Sequence, residues 1–374
     1  MNKKLVTLLL ASTLLLGGCV NINPNDVENE VEEMTSQETA EQPAPESTLN
    51  ESTLNESRGL TFKSAENNTC YVTGIGTCQD TNLVIPATSP KGETVVGVSE
   101  WAFSNCSTLK IVYLPDTVKS IGDYAFEFCT SLEWIHLPEN LEIMGEGVFS
   151  SCRGLKQVEM PEQVIFPNGT DSLFSGCNSL ESVRLPANVE QIGEWCFSFC
   201  KSLKSFVIPS SVTQIGEGAF ARCPRLDSLT VEEGNTTFIS KDGCVIERST
   251  KTLVAITPDA QIPSDGSVEA LGDGALSGQD RTEITIPAGV KMIGKRVFTA
   301  NDELEFISIP HSVEKIDEKA FADCWSTETI HYNGTVAEWK QLMPNDSWMT
   351  WTEKFTVQCT DGEIRITCSD PAIG

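Results

Sequence analysis

The sequence has little of what enzymes use for catalysis. It contains three histidines in 374 residues, and these three, His136, His311 and His331, are scattered along the chain. It has no Gly-x-Ser-x-Gly, His-Glu-x-x-His or phosphate-loop motif. The pattern favours a protein that is not an enzyme and needs no cofactor, with its histidines exposed at the surface.

Basic residues are also scarce. Lys and Arg number 26 against 53 Asp and Glu, which gives a formal net charge of −27. Because carboxylates repel phosphate groups, this balance argues against nucleic acid and anionic lipid headgroups as partners. Cationic partners and calcium are compatible with the charge, but no group of acids has the spacing of a calcium-binding loop.

Long apolar runs are absent beyond the first residues. The run Leu5–Leu16 follows Lys3 and Lys4 and is too short to span a membrane stably, as in an export signal. Leu16-Gly17-Gly18-Cys19 is similar to the lipobox of bacterial lipoproteins. That resemblance implies a signal peptide over 1–19, cleaved before Cys19, and acyl chains on Cys19 that anchor the protein at the cell surface, on the plasma membrane or the outer membrane. An ordinary secretory signal with a chance cysteine is the alternative.

Residues 20–60 are predicted to be a disordered acidic tether. They contain ten acids against Arg58 alone, and Glu46–Asn50 is repeated at once as Glu51–Asn55. A polar segment of like charge cannot bury enough apolar surface to offset its ordering entropy.

A 23-residue period organises the rest of the chain. Successive prolines lie 23 residues apart, as Pro115 and Pro138 do, and a large apolar residue follows eleven positions later. A period of about 20–29 residues built on leucine-type positions predicts a leucine-rich-repeat solenoid, dominated by β-strands with short turns. We count nine rungs, keyed by Phe103, Phe126, Phe149, Phe174, Phe197, Phe220, Leu276, Phe298 and Phe321.

One rung shows the expected physics. Leu132–Leu137 has the spacing of a short strand, and Pro138 closes it because proline cannot donate to a ladder. Gly145 suits a turn that needs positive φ. Phe149 points inward, and Cys152 is a small apolar filler. Alternating charges after the first leucine predict ion pairs between stacked rungs, at Lys110, Glu133, Lys156, Glu181, Lys204 and Asp227.

These motifs resemble the BspA-type leucine-rich repeat of bacterial surface proteins. Complete copies of the pattern run from Leu114 to Cys129 and from Ile208 to Cys223, and the resemblance covers about residues 68–366. It implies a surface protein that binds extracellular-matrix proteins such as fibronectin and fibrinogen. A matching insertion is common in that family.

The repeats occupy 61–332, with an N-terminal cap over 61–100 and an insertion over about 232–261. Short strands are predicted at Thr61–Lys63, Cys70–Thr73 and Leu83–Pro86 in the cap. The insertion is predicted to pair strands within Ile239–Ile246 and Thr252–Ile256, the first around an Asp242-Gly243 turn. Residues 333–374 form a C-terminal cap with a hairpin about Asp361-Gly362, in which Cys359 would lie opposite Ile364.

The 14 cysteines are predicted to be mostly buried free thiols. Seven occupy the same rung position, and Gln279 and Asn301 take that position in two other rungs, which fits a filler better than pairing. The sequence has no Cys-x-x-Cys motif that would indicate a zinc site. Cys70 and Cys78 are the one pair that we single out as a candidate disulfide.

The candidate ligand site lies on outward positions of the strands, which stacking turns into one concave face. On the N-terminal rungs these positions bring together two aromatic residues, a histidine and two charges: Tyr113, Trp134, His136, Glu159 and Arg184. Tyr, Trp and Arg are enriched at binding hot spots, and Trp134 is expected to be exposed. The alternative is that Trp134 and Tyr113 merely stack as cross-strand neighbours.

The sequence therefore predicts a lipid-anchored, adhesin-like surface protein whose partner is a host or matrix protein or a neighbouring cell. A carbohydrate- or envelope-binding accessory lipoprotein is the alternative. A hydrolase is possible only with a site hidden in the 232–261 insertion.

Replacing the lipobox cysteine tests the anchor. Cys19→Ala should move the protein into the aqueous phase of a detergent partition, because no other segment is apolar enough to hold it. Ser36→Ala, in the tether, is the control and should partition as the wild type does. Equal partitioning of Cys19→Ala and wild type would contradict lipid anchoring.

Overall fold

The computed structural model of the protein describes residues 55–343 and 354–367. The signal peptide predicted over 1–19 and the tether up to residue 54 lie outside these residues. The predicted tether ran on to residue 60, yet Ser57 is buried and exchanges hydrogen bonds with Val84. The described chain is a β-solenoid of about 12 turns, which confirms the predicted fold class. The count exceeds nine because strands of the cap and of the insertion continue the same rows.

Two rows of parallel strands run along the solenoid. The front row holds the strands that precede the repeat proline and the strands that pair with them in parallel: β3 (Asn82–Val84), β5 (Ile111–Tyr113), β7 (Trp134–His136), β9 (Gln157–Glu159), β10 (Ser182–Arg184), β12 (Ser205–Ile208), β14 (Ser228–Val231), β19 (Glu283–Thr285), β21 (Phe306–Ile309), β23 (Thr329–Tyr332) and β24 (Lys354–Cys359). The back row holds the strands that follow the repeat proline and the strands that pair with them in parallel: β2 (Thr69–Gly74), β4 (Thr94–Val98), β6 (Ser120–Ile121), β8 (Ile143–Met144), β11 (Gln191–Ile192), β13 (Gln214–Ile215), β17 (Thr252–Ile256), β18 (Ala270–Leu271), β20 (Met292–Ile293) and β22 (Lys315–Ile316). Antiparallel strands flank these rows: β1 (Thr61–Ser64), β15 (Phe238–Lys241), β16 (Cys244–Glu247) and β25 (Gly362–Thr367).

The third side of each turn is built from left-handed residues. In all nine keyed turns, the residues two before and two after the key residue have positive φ. In the Phe126 turn these are Tyr124 (54°) and Phe128 (56°). The backbone N–H groups of residues 124, 126 and 128 all donate to carbonyls of the next turn. This third ladder offsets a cost of about 1–2 kcal/mol for each left-handed residue that is not glycine.

Gly145 was expected to be required by a turn with positive φ, and this reason is wrong. Gly145 is not among the residues with positive φ. A Cβ at this position would lie 2.6 Å from the backbone N of Asp123 in the preceding turn. A Cβ at Gly122 would likewise lie 2.4 Å from the N of Glu100. The repeat glycine is therefore required by close approach of stacked backbones rather than by a left-handed turn.

A ladder of phenylalanine rings fills the core. Rings of successive turns lie nearly parallel, with centroids 5.3 Å apart for Phe103 and Phe126 and 6.3 Å apart for Phe126 and Phe149. The ladder continues to Phe220, stops at Leu276 and resumes with Phe298 and Phe321, 5.1 Å apart. The core divides into two apolar clusters near this interruption.

The cysteine position acts as a hydrogen-bond donor and not only as a filler. Each slot thiol after the first donates to the carbonyl of the key phenylalanine one turn earlier, at 2.9–3.3 Å: Cys129 to Phe103, Cys152 to Phe126, Cys177 to Phe149, Cys200 to Phe174, Cys223 to Phe197 and Cys324 to Phe298. Asn301 fills the same slot and donates its amide to the Leu276 carbonyl at 2.8 Å. The slot therefore supplies a hydrogen-bond donor to the neighbouring turn, and its thiols are free.

The twelve cysteines in the described part of the chain are free. This confirms the predicted free thiols. Cys70 and Cys78, the candidate disulfide, are both buried and unbonded to each other. The Cys70 thiol lies instead 3.8 Å from the Glu93 carbonyl.

Of the ion pairs predicted from the alternating charges on successive rungs, one is formed. Lys204 and Glu181 form an ion pair of 2.8 Å between neighbouring turns, and this lysine lowers the pKa of the Glu181 carboxyl. Both side chains are more than half exposed, so the pair adds little to stability.

The insertion forms the predicted hairpin. β15 and β16 pair so that Lys241 lies opposite Cys244, and the two turn residues Asp242 and Gly243 both have positive φ, as a type I′ turn requires. β16 then pairs with β17, which joins the back row beside β18.

Two arginines bridge the turns on either side of the interrupted ladder. Arg296 contacts both carboxylate oxygens of Glu217 at 2.8 Å, and Arg222 contacts Asp302 at 2.8 Å. Each pair joins the Phe220 turn to the Phe298 turn across the Leu276 turn. The two intervening left-handed positions are Gly274 and Gly278.

The C-terminal cap begins with helix α1 (Val336–Leu342). Thr335 and Glu338 form a capping box, and Trp339 is buried against Tyr332. The sequence did not predict this helix.

The predicted register of the C-terminal hairpin is wrong by two residues. Val357, not Cys359, lies opposite Ile364, and the turn is at Thr360 and Asp361. Both turn residues are held by the start of α1, because Thr360 donates to the Gly334 carbonyl and Asp361 accepts from the Val336 N–H. Cys368 lies outside the described residues.

Truncating one ring of the ladder should destabilise the solenoid. We expect Phe126→Ala to lower the free energy of unfolding by about 3–5 kcal/mol, because it leaves a cavity between two stacked rings. Phe126→Leu is the control and should cost less, since Leu276 occupies the equivalent position. Urea denaturation measures both, and a Phe126→Ala midpoint equal to that of the wild type would contradict the ladder.

Alkaline pH should weaken the fold through its buried thiols. Burial raises the pKa of the Cys223 thiol from 9.0 to about 12, so its contribution is full below pH 9.0 and is lost as the pH rises toward 12. Cys223→Ser keeps a donor and has no thiol to ionise. Above pH 9.0 the free energy of unfolding should fall faster in the wild type than in Cys223→Ser, by at most about 1.4 kcal/mol per pH unit. Parallel pH profiles of the two proteins would contradict this.

Candidate binding surface

The register of β5 and β7 places three of the predicted ligand residues, Tyr113, Trp134 and His136, on one face. Ile111 pairs with Trp134 and Tyr113 with His136, so these four side chains point away from the core. The residues between them, Val112 and Ile135, are buried in the core. The outward face of the front row is called the front face below.

Three rings of the predicted site lie together on the front face. The rings of Tyr113 and His136 stack with centroids 4.4 Å apart and an interplanar angle of 8°. The Trp134 ring lies 6.2 Å from His136 at 37°. His136 Nδ1 lies 3.1 Å from the Leu114 carbonyl oxygen. Because that oxygen can only accept, Nδ1 carries the hydrogen and the imidazole is fixed in orientation.

The expected exposure of Trp134 is wrong. Its side chain is 9% exposed, although it is not part of the phenylalanine core. Ile111 lies in register beside it and His136 lies two residues along the same strand, so the neighbours on the face cover much of the ring. The ring that stacks on Tyr113 is that of His136, on the neighbouring strand. Truncating Trp134 would therefore remove packing as well as surface.

Glu159 and Arg184, the charged residues of the predicted site, lie in a separate two-stranded sheet. They lie in register on β9 and β10, and both are exposed. The Arg184 side chain is 80% exposed, and its partner is Glu162 at 3.8 Å rather than Glu159. An ion pair this long and this exposed holds the guanidinium weakly, so Arg184 is accessible to a ligand.

A second aromatic pair lies on the C-terminal part of the front row. Phe306 on β21 and His331 on β23 have ring centroids 4.6 Å apart at 51°. Both are outward positions of their strands, half-buried beside buried Ile307 and Ile330. We did not predict this pair, because we followed the outward positions only as far as Thr230. The same strand spacing after the insertion would have identified it.

The described residues contain no metal centre. Within the described residues, 55–343 and 354–367, no three His, Cys, Asp or Glu side chains lie close enough together to hold a metal ion. The same part of the chain has no helix that is both long and apolar enough to cross a membrane.

The repeat matches one known family. The profile of the BspA type leucine rich repeat region matches in six copies, over residues 78–168, 167–243 and 257–343. The chain belongs to the BspA-type leucine-rich repeat family. The match includes the strands of the front face from β3 to β23, and with them every residue of the predicted site.

Several solved structures of leucine-rich-repeat proteins are similar to the chain. The chain is similar to a leucine rich cell surface protein of Faecalibacterium prausnitzii A2-165, with 25% identity over 79% of this chain and 99% of that one, and a TM-score of 0.49. A leucine-rich repeat protein of Bacteroides ovatus is 25% identical over 75% of this chain and 70% of that one, with a TM-score of 0.43. The pneumococcal vaccine antigen PcpA is 17% identical, covers 82% of this chain and 88% of its own, and shares the fold with a TM-score of 0.59. No curated protein matches the chain.

Proposed function

We propose that this BspA-type protein is a non-enzymatic, lipid-anchored bacterial surface protein that binds an extracellular protein through its front face. The carrying observation is that outward positions carry three rings, Tyr113, Trp134 and His136, on the paired strands β5 and β7, and two charges, Glu159 and Arg184, on the paired strands β9 and β10, which follow them in the front row. Such a patch joins a rigid aromatic cluster to accessible charges, the combination found at binding hot spots.

The anchoring part of the proposal rests on the sequence around Cys19. The resemblance of Leu16–Cys19 to a lipobox supports acylation, and the acidic segment that follows supports a tether that holds the solenoid away from the membrane. The F. prausnitzii protein, described as a cell surface protein, supports the same location.

The partner class follows from the charge and from the family. A net charge of −27 disfavours nucleic acid. The BspA-type resemblance favours a host or matrix protein, or a protein on a neighbouring cell. A carbohydrate- or envelope-binding role is the second candidate, because stacked aromatic rings beside a carboxylate also suit sugars.

Arrays of matrix proteins and of glycans, probed with residues 20–374, separate the two candidates. We expect binding to fibronectin or fibrinogen, and we expect Glu159→Ala with Arg184→Ala to weaken it at least tenfold. Both residues are exposed, so the fold should not change. Trp134 is left intact because it is largely buried.

Ser205→Ala with Ser228→Ala is the matched control. These serines are exposed at equivalent outward positions of β12 and β14, and their loss should leave binding unchanged. Binding to glycans alone would replace the proposal by the second candidate. Normal matrix-protein binding by the Glu159→Ala, Arg184→Ala variant would move the site away from this patch.

A further inference from the structure

A second surface lies on the back row of the N-terminal turns, away from the front face. It is a groove of about 560 Å³ that runs across β2, β4, β6 and β8. Tyr71, Ser120 and Ile143 lie in one register row along it, and Glu100 and Asp123, in the turns that follow β4 and β6, line it as well. Nothing in the front-face proposal uses these residues.

The repeat itself builds the floor of the groove. Gly122 and Gly145 line it and have no side chain, because the stacked backbones approach too closely for a Cβ. The floor is therefore lower than the side chains on either side of it. If every turn of the back row were identical, the groove would continue along the whole length of the row.

A departure from the repeat closes one end. The fourth rung has two residues more than the 23 of its neighbours, in the segment Phe166–Gly169. Pro167 and Asn168 from this bulge are exposed and line the groove at its C-terminal end. Lys63 of β1 lines the groove as well. The cap strand and the bulge thus make a groove of finite length out of a periodic surface.

Large apolar side chains are exposed beside this groove. Ile143 is 41% exposed, and Ile165, its bridge partner in the next turn, is 51% exposed. Trp101 is 50% exposed and follows Glu100 directly in the chain. Exposed apolar side chains rimmed by polar ones mark surfaces that bind other proteins.

Acidic side chains recur at one position of the turns that line the groove. Glu100, Asp123, Glu146 and Asp171 occupy the same position, three residues before the key phenylalanine, on four successive turns. These carboxylates also affect a neighbouring tyrosine. Burial, the hydrogen bond to Glu146 and the surrounding carboxylates together raise the pKa of Tyr124 to about 12. A partner in this groove must therefore offer positive charge as well as apolar surface.

We propose that the groove binds an extended segment of a partner polypeptide in which aliphatic and basic side chains alternate. Successive side chains of an extended chain point to opposite sides. The aliphatic ones would lie on Ile143 and Ile165, and the basic ones on the carboxylates of Glu100 and Asp123. Five turns at about 4.8 Å span roughly 19 Å, which an extended segment of about six residues would cover.

Synthetic peptides test the alternation directly. The probe is fluorescein-labelled (Val-Lys)4, titrated with residues 20–374 and followed by anisotropy at physiological salt. We expect it to bind at least tenfold more tightly than (Gly-Lys)4, which keeps the charge, and than (Val-Glu)4, which keeps the aliphatic side chains. Equal binding of (Val-Lys)4 and (Gly-Lys)4 would show only general attraction to an acidic protein and would overturn the proposal.

Two variants place the binding in the groove. Ile143→Ser with Ile165→Ser should weaken (Val-Lys)4 binding at least tenfold, and Glu100→Gln should weaken it in a salt-dependent manner. Val207→Ser is the matched control, because Val207 is 56% exposed on the front face. Unchanged binding by the Ile143→Ser, Ile165→Ser variant, with an unchanged circular dichroism melt, would overturn the proposal. Because Glu159 and Arg184 are intact in these variants, matrix-protein binding reports separately on the front face.

Discussion

The spacing between stacked turns is the constraint on which the rest of the structure depends. Every side chain must fit against equivalent side chains about 4.8 Å above and below it. Flat rings satisfy this by stacking face to face, as Phe103 and Phe126 do. Where a backbone approaches its neighbour most closely, as at Gly122, only glycine fits. The thiols meet the same condition by donating to the carbonyl one turn back, as Cys152 does to Phe126.

Much of this architecture could be read from the sequence because the period is repeated. A position that recurs every 23 residues reports its own environment many times, so the inward Phe126 and the buried Cys129 were both predictable. The role of Gly145 was not, since its constraint comes from Asp123 in another turn. The register of the C-terminal hairpin also escaped, because its turn is fixed by contacts with the start of α1 that no local pattern encodes.

The candidate site was predictable in position but not in accessibility. Strand alternation correctly brought Tyr113 and His136 to the same face. Exposure depends on what the neighbouring strands place beside each side chain, and this is why Trp134 is largely buried while Arg184 is open. Sequence spacing assigns a side chain to a face, whereas the neighbours in other turns decide how much of it a partner can reach.

The turns of this solenoid differ from one another mainly where the sequence departs from the repeat. A strictly periodic stack offers the same surface at every turn, so a ligand could not distinguish one turn from the next. The bulge at Pro167 and Asn168 ends a groove, and Leu276 interrupts the ring ladder. At that interruption Arg296 joins the flanking turns, because its Nη1 contacts both carboxylate oxygens of the largely buried Glu217. The features that distinguish one turn from the next thus have one source, the few positions at which the 23-residue repeat is broken.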